Sequence, residues 1–324
     1  MEVHQLRYFC AVAHEGSFTR AAHQQHVAQP SLSQQVRKLE DELGTRLFDR
    51  LGRTVRLTLF GETFLPRVEA ILRDMEDAKQ EIEEMSGAER GRLAVGSIPT
   101  IAPYFLPRCL ASFSPKFPEI RVSIMEELTF EVLDRLHKGM IDLAVVALPV
   151  PEGPYSCQEL LREPFYLVVP ESHPLASKLS VHLKQVERDP FLLLKEGHCF
   201  RENTLSACGR ARLQPNVVFE SGQFSTLLAM VAAGAGVSMV PEMAVEPRHG
   251  CRFIPLADEG AYRRVGIVQF KNHFRSRAHK AFVKHLQSGT AQFSPAHTSW
   301  QLFSTLKEPP LRSRRTPGKR EPEQ

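Results

Sequence analysis

Seven apolar residues follow one another at steps of four and three: Phe64, Val68, Ile71, Met75, Ala78, Ile82 and Met85. A strand puts alternate residues on one face and cannot align this series. A helix can. The row commits a central stretch, residues 59–88, to one long helix with a single apolar seam. The other faces of that helix are acidic and solvated, so the seam is expected to pair with another helix, and its seven residues are dimerisation candidates. Gly87-Ala88-Glu89-Arg90-Gly91 then breaks the helix and hinges the chain. The stretches on either side of the helix, residues 1–58 and residues 91–290, are expected to fold as separate units.

In the first unit, Leu6, Phe9, Cys10 and Ala13 keep helical spacing until Gly16 stops them. Ser17 suits the N-cap of a second helix running to about His26. Pro30 suits the first turn of a third, where a missing N–H costs nothing. Leu32, Val36, Leu39 and Leu43 share one face of that third helix. Its polar face carries Gln29, Ser31, Ser33, Gln34, Gln35, Arg37 and Lys38 without an acid. Gln and Arg can read base edges and Ser can bind phosphate. Arg50, Gly52, Arg53, Thr54 and Arg56 come next as a basic segment with a turn.

A polar helix face alone is commonly no more than solvent-exposed. The whole run is more specific. Ala28-Gln29-Pro30-Ser31-Leu32-Ser33-Gln34-Gln35-Val36-Arg37-Lys38-Leu39-Glu40-Asp41-Glu42-Leu43-Gly44, then Leu47-Phe48-Asp49-Arg50, resembles the winged helix-turn-helix signature of LysR-type regulators. The resemblance covers residues 1–65. It implies a double-stranded DNA reader contacting DNA through Gln29, Pro30, Ser31, Ser33, Gln34, Gln35 and Arg37, with Arg50 and Arg53 in a wing that grips phosphates. It also implies a linker helix that dimerises the protein, as homodimer or homotetramer, and contact with RNA polymerase.

From Arg92 short apolar runs alternate with helical segments. Residues 93–96, 122–125, 143–146, 166–169, 191–194, 217–219 and 237–240 are expected strands, which indicates an open α/β fold. The family resemblance implies two subdomains around a cleft, like periplasmic binding proteins: 91–163 with 268–290, and 164–267. The chain is expected to cross near Glu163-Pro164, return along Val265 to Phe270, and end in a helix from about Ser276 to Leu286. The loop Gly96 to Pro107 leaves a strand and enters a helix, where free N–H groups attract anions. Thr129, after the strand Val122 to Met125, is placed to face the same cleft.

Three segments narrow the resemblance to the OxyR branch, the peroxide sensors of the family. They are the Thr100 loop, Met230 to Val237, and above all Gly197-His198-Cys199 with Cys208 nine positions on. The resemblance implies that Cys199 is the peroxide-reactive thiol and Cys208 its disulfide partner. It places Thr100, Thr129 and His198 around the bound peroxide. The branch also uses an arginine at Arg263 or Arg264, and the spacing to Gly266 leaves both open. A reactive thiol must ionise, and His198, Arg201 and the Thr100 loop are candidates to favour the thiolate. If residues 199–208 were helical, their Cα atoms would stand about 13 Å apart at 1.5 Å rise per residue.

Cys10 fits the core of the first helix, and Cys109, Cys157 and Cys251 have no chemical context. Cys-x8-Cys is not a zinc spacing, so neither metal nor cofactor is expected. No apolar run reaches the eighteen or so residues of a membrane span, and Met1 to Arg7 does not read as a signal peptide, so a cytoplasmic location is expected. The net charge of +4 is misleading: residues 307–324 hold six basic groups against three acids. The segment 291–324 reads as a basic, disordered tail. Three other readings stay open at this level: a regulator gated by a small organic anion, a thiol peroxidase, and a repressor with no ligand. The sequence holds no Cys-x-x-Cys pattern for the redox recycling a peroxidase needs, so an enzyme is not expected.

Overall fold

The computed structural model describes residues 1–51, 54–85, 91–271 and 274–289. Three helices open the chain: α1 (Val3–Glu15), α2 (Phe18–Gln24) and α3 (Gln29–Leu43). Gly16 ends α1 in the left-handed region, at φ 58°, where a side chain would be strained. Ser17 Oγ caps α2 by accepting from Arg20 N–H. Helix α2 stops at Gln24, short of the expected His26, which itself adopts a positive φ. Leu32, Val36 and Leu39 are fully buried, whereas Leu43 at the end of α3 is exposed.

A hairpin comes next, β1 (Phe48–Leu51) against β2 (Thr54–Leu57), antiparallel. The buried carboxylate of Glu40 on α3 accepts from Leu47 N–H at 2.8 Å and Phe48 N–H at 3.2 Å. It thereby ties the hairpin to α3. Arg53 lies outside the described residues, as does the side chain of Arg50.

The long helix α4 (Leu59–Met85) is present, and its apolar row divides. Val68 is fully buried and Phe64 half-buried, both in the core formed with α1 to α3; the ring of Phe64 lies tilted against that of Phe9, 5.5 Å between centroids. Their assignment to a dimer seam is corrected: one helix face serves its own domain first. Ile71, Met75, Ala78 and Ile82 are exposed and form the remaining apolar row. The Met85 side chain lies outside the described residues. Arg73, on another face of α4, donates to the His137 carbonyl and stacks over Phe270, which packs α4 against the second unit.

The second unit runs β3 (Gly91–Ser97), α5 (Ala102–Phe113), β4 (Ile120–Glu126), α6 (Thr129–His137), β5 (Leu143–Leu148), β6 (Tyr155–Pro170), β7 (Pro190–Leu194), α7 (Cys199–Arg210), β8 (Asn216–Ser221), α8 (Phe224–Ala232), β9 (Val237–Pro241), β10 (Cys251–Pro255), β11 (Tyr262–Phe270) and α9 (Arg277–Gly289). The strands join in the order β4-β3-β5-β11-β6-β9-β7-β8, with β10 beside β6. All seven expected strands are present. The sequence reading missed β10 and the length of β6.

Strand β6 organises this unit. It pairs with β11 as far as Pro164, then with β9 from Phe165 onward. Separate hydrophobic cores gather on either side of this crossing. The C-terminal ends of β3 and β4 and the N-terminus of α7 face one another there, as ligand clefts of open sheets do.

Candidate functional site

Cys199 is the first residue of α7 and His198 its N-cap. Gly197 precedes them at φ 90°, and a Cβ there would press to 3.0 Å on Leu128. A glycine thus lets the chain approach α6 closely across the cleft. Ile98, Pro99, Thr100, Leu128, Thr129, Gly197, His198 and Cys199 line a narrow cleft too tight in this conformation to admit a water-sized sphere. The structure therefore gathers the four residues expected around a peroxide.

Burial pushes the Cys199 thiol up. Arg263, the Thr129 and Thr100 hydroxyls, and a backbone N–H at the start of α7 pull it down, but burial is the larger effect. The expected resting thiolate is corrected to that extent. Thr129 Oγ1 is buried with no nitrogen or oxygen partner, and faces the Cys199 sulfur. The His198 ring is buried, and burial followed by the charge of Lys195 pushes its pKa down, so it stands neutral rather than cationic near pH 7. Arg201 turns away to the Leu194 carbonyl and to Glu220 at 2.6 Å. Neither residue is the cation expected beside the thiol.

That cation is Arg263. Its side chain is fully buried, with Nε donating to Glu163 Oε2 at 2.6 Å. Nη1 donates to Thr100 Oγ1 and Nη2 to the Thr100 carbonyl, both at 2.8 Å. The guanidinium sits 5.4 Å above the ring of Phe200. Arg264 is half-exposed and reaches Glu159 at 3.6 Å. The two residues left open by spacing are separated by strand alternation: neighbours on β11 point to opposite faces. Sequence reasoning missed Glu163, a hundred positions from its partner; its one signal was its place at the expected crossing.

Cys208 lies on the same helix, fully buried in the core beyond the crossing. Burial, reinforced by Asp258, pushes its thiol up to about 11. Both cysteines are free thiols, and the helix between them is continuous. Cys10, Cys109 and Cys251 are buried and Cys157 is exposed. Among the described residues no group of His, Cys, Asp or Glu is arranged to hold a metal ion. No described helix is long and apolar enough to cross a membrane.

On α3, Gln29, Pro30, Ser31, Gln34, Arg37 and Lys38 are exposed and Ser33 is half-buried. Gln35 is half-buried and accepts from Gln5 Nε2 at 3.2 Å, so it props α3 on α1. The outward set is the part of the expected reading face available to a ligand.

Comparison with known proteins identifies the family of both units. Residues 3–62 match the model of the bacterial regulatory helix-turn-helix protein, lysR family, and residues 86–291 the LysR substrate binding domain. An uncharacterised HTH-type transcriptional regulator of Bacillus subtilis, YybE, is 32% identical over 288 residues, 89% of this chain and 99% of its own. The DNA-binding transcriptional dual regulator OxyR of Escherichia coli is 33% identical over 271 residues, 83% of this chain and 89% of its own. Among solved structures, full-length OxyR of Pseudomonas aeruginosa is 33% identical with a TM-score of 0.73, covering 89% of this chain and 95% of that one. A peroxide-bound mutant of Corynebacterium glutamicum OxyR is 31% identical with a TM-score of 0.61, covering 95% and 97%.

Proposed function

Since this chain belongs to the LysR family of bacterial transcriptional regulators, we propose that it senses hydrogen peroxide through Cys199 and passes the signal to DNA held by α3. The observation that carries this reading is the seat of Cys199 in a narrow cleft, facing two hydroxyls and one buried guanidinium. Likeness to OxyR proteins, one of them solved with peroxide, supports it.

The Cys199 thiol, protonated at rest, gives up its proton as its sulfur attacks one oxygen of hydrogen peroxide; the S–O bond forms as the O–O bond breaks. The departing hydroxide takes a proton and leaves as water, with Cys199 as a sulfenic acid. Thr100, Thr129 and Arg263 are placed to stabilise negative charge on sulfur and on the departing oxygen. The Cys208 thiolate then attacks the sulfenic sulfur, expels hydroxide and closes a disulfide. The two electrons that reduce peroxide come from the two thiols. The exposed α3 face reads an operator, the apolar row of α4 joins two copies, and the assembly controls oxidative-stress genes in the cytoplasm with RNA polymerase as a further partner.

Gating by an organic anion shares every feature except the cysteines. The pocket of about 370 Å³ lined by Arg210, Arg263 and Arg264 is the observation that favours it. Peptide mapping without reductant, after stoichiometric peroxide, is the deciding experiment. A Cys199–Cys208 disulfide is the expected product. Prior oxidation of Cys157 or Cys251, or a peroxide response that survives Cys199→Ser, overturns the reading.

A further inference from the structure

Arg263 has to be held still to serve Cys199. Its guanidinium is wholly buried, and an unpaired buried cation is strongly destabilising. Glu163, itself buried, supplies the pairing charge from the neighbouring strand, its Cα registered opposite that of Arg263. One Glu163 oxygen accepts from Arg263 Nε at 2.6 Å, and the other accepts from Met243 N–H at 2.7 Å. Met243 follows β9, beyond the crossing, whereas Thr100 belongs to the loop after β3 on the near side. A single carboxylate thus links the two halves of the cleft through Arg263.

The hydrogen bonds of Thr100 extend this link to the sulfur. The Thr100 hydroxyl accepts from Arg263 Nη1, and a hydroxyl has only one hydrogen to give. With an acceptor position already occupied by the guanidinium, that hydrogen is free to point at Cys199. The Thr100 carbonyl, tied to Nη2, fixes the loop that carries the hydroxyl.

We infer that Glu163 is a positioning residue for the chemistry of Cys199: it fixes Arg263, and through Arg263 it turns the Thr100 hydroxyl into a donor aimed at the sulfur. The inference rests on the proposed role of Cys199. It adds a residue that touches neither sulfur nor peroxide. The titratable and charged groups facing this assembly are His198, pushed below its usual value, Tyr104 on α5, pushed above 10, and Glu242 near Glu163, pushed upward by burial. Between pH 7 and 10 the profile of Cys199 is therefore read clear of His198 and Tyr104, and Glu242, which loses the repulsion of Glu163 in Glu163→Gln, moves further down and away from this range.

The test uses the full chain carrying Cys208→Ser, with Glu163→Gln and Glu163→Asp added separately. Two rates are followed at Cys199 by peptide mass spectrometry from pH 7 to 10: alkylation by iodoacetamide, and oxidation by hydrogen peroxide. Glu163→Gln leaves the buried guanidinium without its counter-charge, so Arg263 is expected to leave its seat, shifting the alkylation profile upward by about one pH unit and slowing oxidation at pH 7 about tenfold; a downward shift, which bare loss of a nearby anion gives, overturns the inference. Glu163→Asp, which restores the charge on a shorter side chain, is expected to recover most of both and to leave a residual upward shift of a fraction of a pH unit. Adding Thr100→Val to Glu163→Gln is expected to slow oxidation by less than it does in the parent. If both profiles in Glu163→Gln match the parent, the inference is overturned. The same holds if Glu163→Asp behaves like Glu163→Gln. If the alkylation profile shifts while peroxide oxidises Cys199 of the parent no faster than Cys157, the peroxide reading fails and the positioning role of Glu163 stands. Should Glu163→Gln not fold, Glu163→Asp against the parent decides alone: a shorter reach with unchanged charge should shift the profile by a fraction of a pH unit, and an unmoved profile overturns the inference.

Discussion

Cys199 and Cys208 occupy the first and tenth positions of one unbroken helix, α7. At 1.5 Å rise per residue their Cα atoms stand about 13 Å apart, whereas a disulfide requires roughly 4.4–6.8 Å. A bond between them is incompatible with the helix as folded. Oxidation is therefore expected to unwind α7. Hydrogen exchange of amides 199–210 should accelerate by at least tenfold in the oxidised protein and revert on reduction. Cys208→Ser should stop at the sulfenic acid and keep α7 protected. Protection of α7 in a protein shown to hold the disulfide contradicts this mechanism.

The buried thiols contribute to the loss of stability of the reduced protein at alkaline pH. Burial raises Cys10 and Cys109 to about 12 and Cys208 to about 11 from 9.0. In the unfolded chain these groups lose protons first, so above pH 9 the unfolded state binds fewer protons than the native one. Stability from these neutral thiols is complete below pH 9 and is lost as pH rises through 11 to 12. A tenfold change in acidity is worth about 1.4 kcal/mol. Denaturant melts of the reduced protein from pH 8 to 11 should show this decline, lessened in Cys109→Ala. A flat profile would falsify the assignment.

The exposed row of α4 should be separable from folding. Met75→Glu with Ile82→Glu alters two side chains exposed at 43% and 66%, so the DNA-binding core is left intact. Dimers and DNA affinity are expected to fall together, because two half-sites must be held at once. Sedimentation is the check. A dimer that persists shows that the row is not the interface.

On α3, Gln34→Ala and Arg37→Ala should each weaken specific operator binding by about 1–3 kcal/mol if they read base edges. Arg53→Ala should weaken binding to all sequences alike and flatten its salt dependence. Gln35→Ala is expected to act through stability instead, since Gln35 is bonded to Gln5. Footprinting with matched and scrambled duplexes separates these outcomes.

Much of the fold was legible because it is periodic. The faces of α1, α3 and α4 and the apolar strand runs all repeat at helical or strand spacing. Period alone did not say which part of the α4 row serves which partner: Phe64 and Val68 obey the same steps as Met75 and Ile82, yet they fill the core around Phe9. The cysteines and threonines of the cleft came from likeness of motif. Arg263 became distinguishable from Arg264 only once β11 gave each a face. Glu163 was illegible for a plainer reason: a charge pair closed across a hundred residues leaves no periodic trace.

The complete burial of Cys208 bears on duration. Should Cys199 oxidise as proposed, its sulfenic acid must wait for α7 to open before the second thiol is within reach. A cellular reductant competes during that wait. A brief pulse of oxidant is then erased, and only exposure that outlasts helix opening is stored. On that proposal the hydrophobic core would work as a low-pass filter on the signal. Rapid-quench measurements would reveal it as a lag between sulfenic acid and disulfide that shortens when α7 is destabilised, and simultaneous appearance of the two would remove the filter.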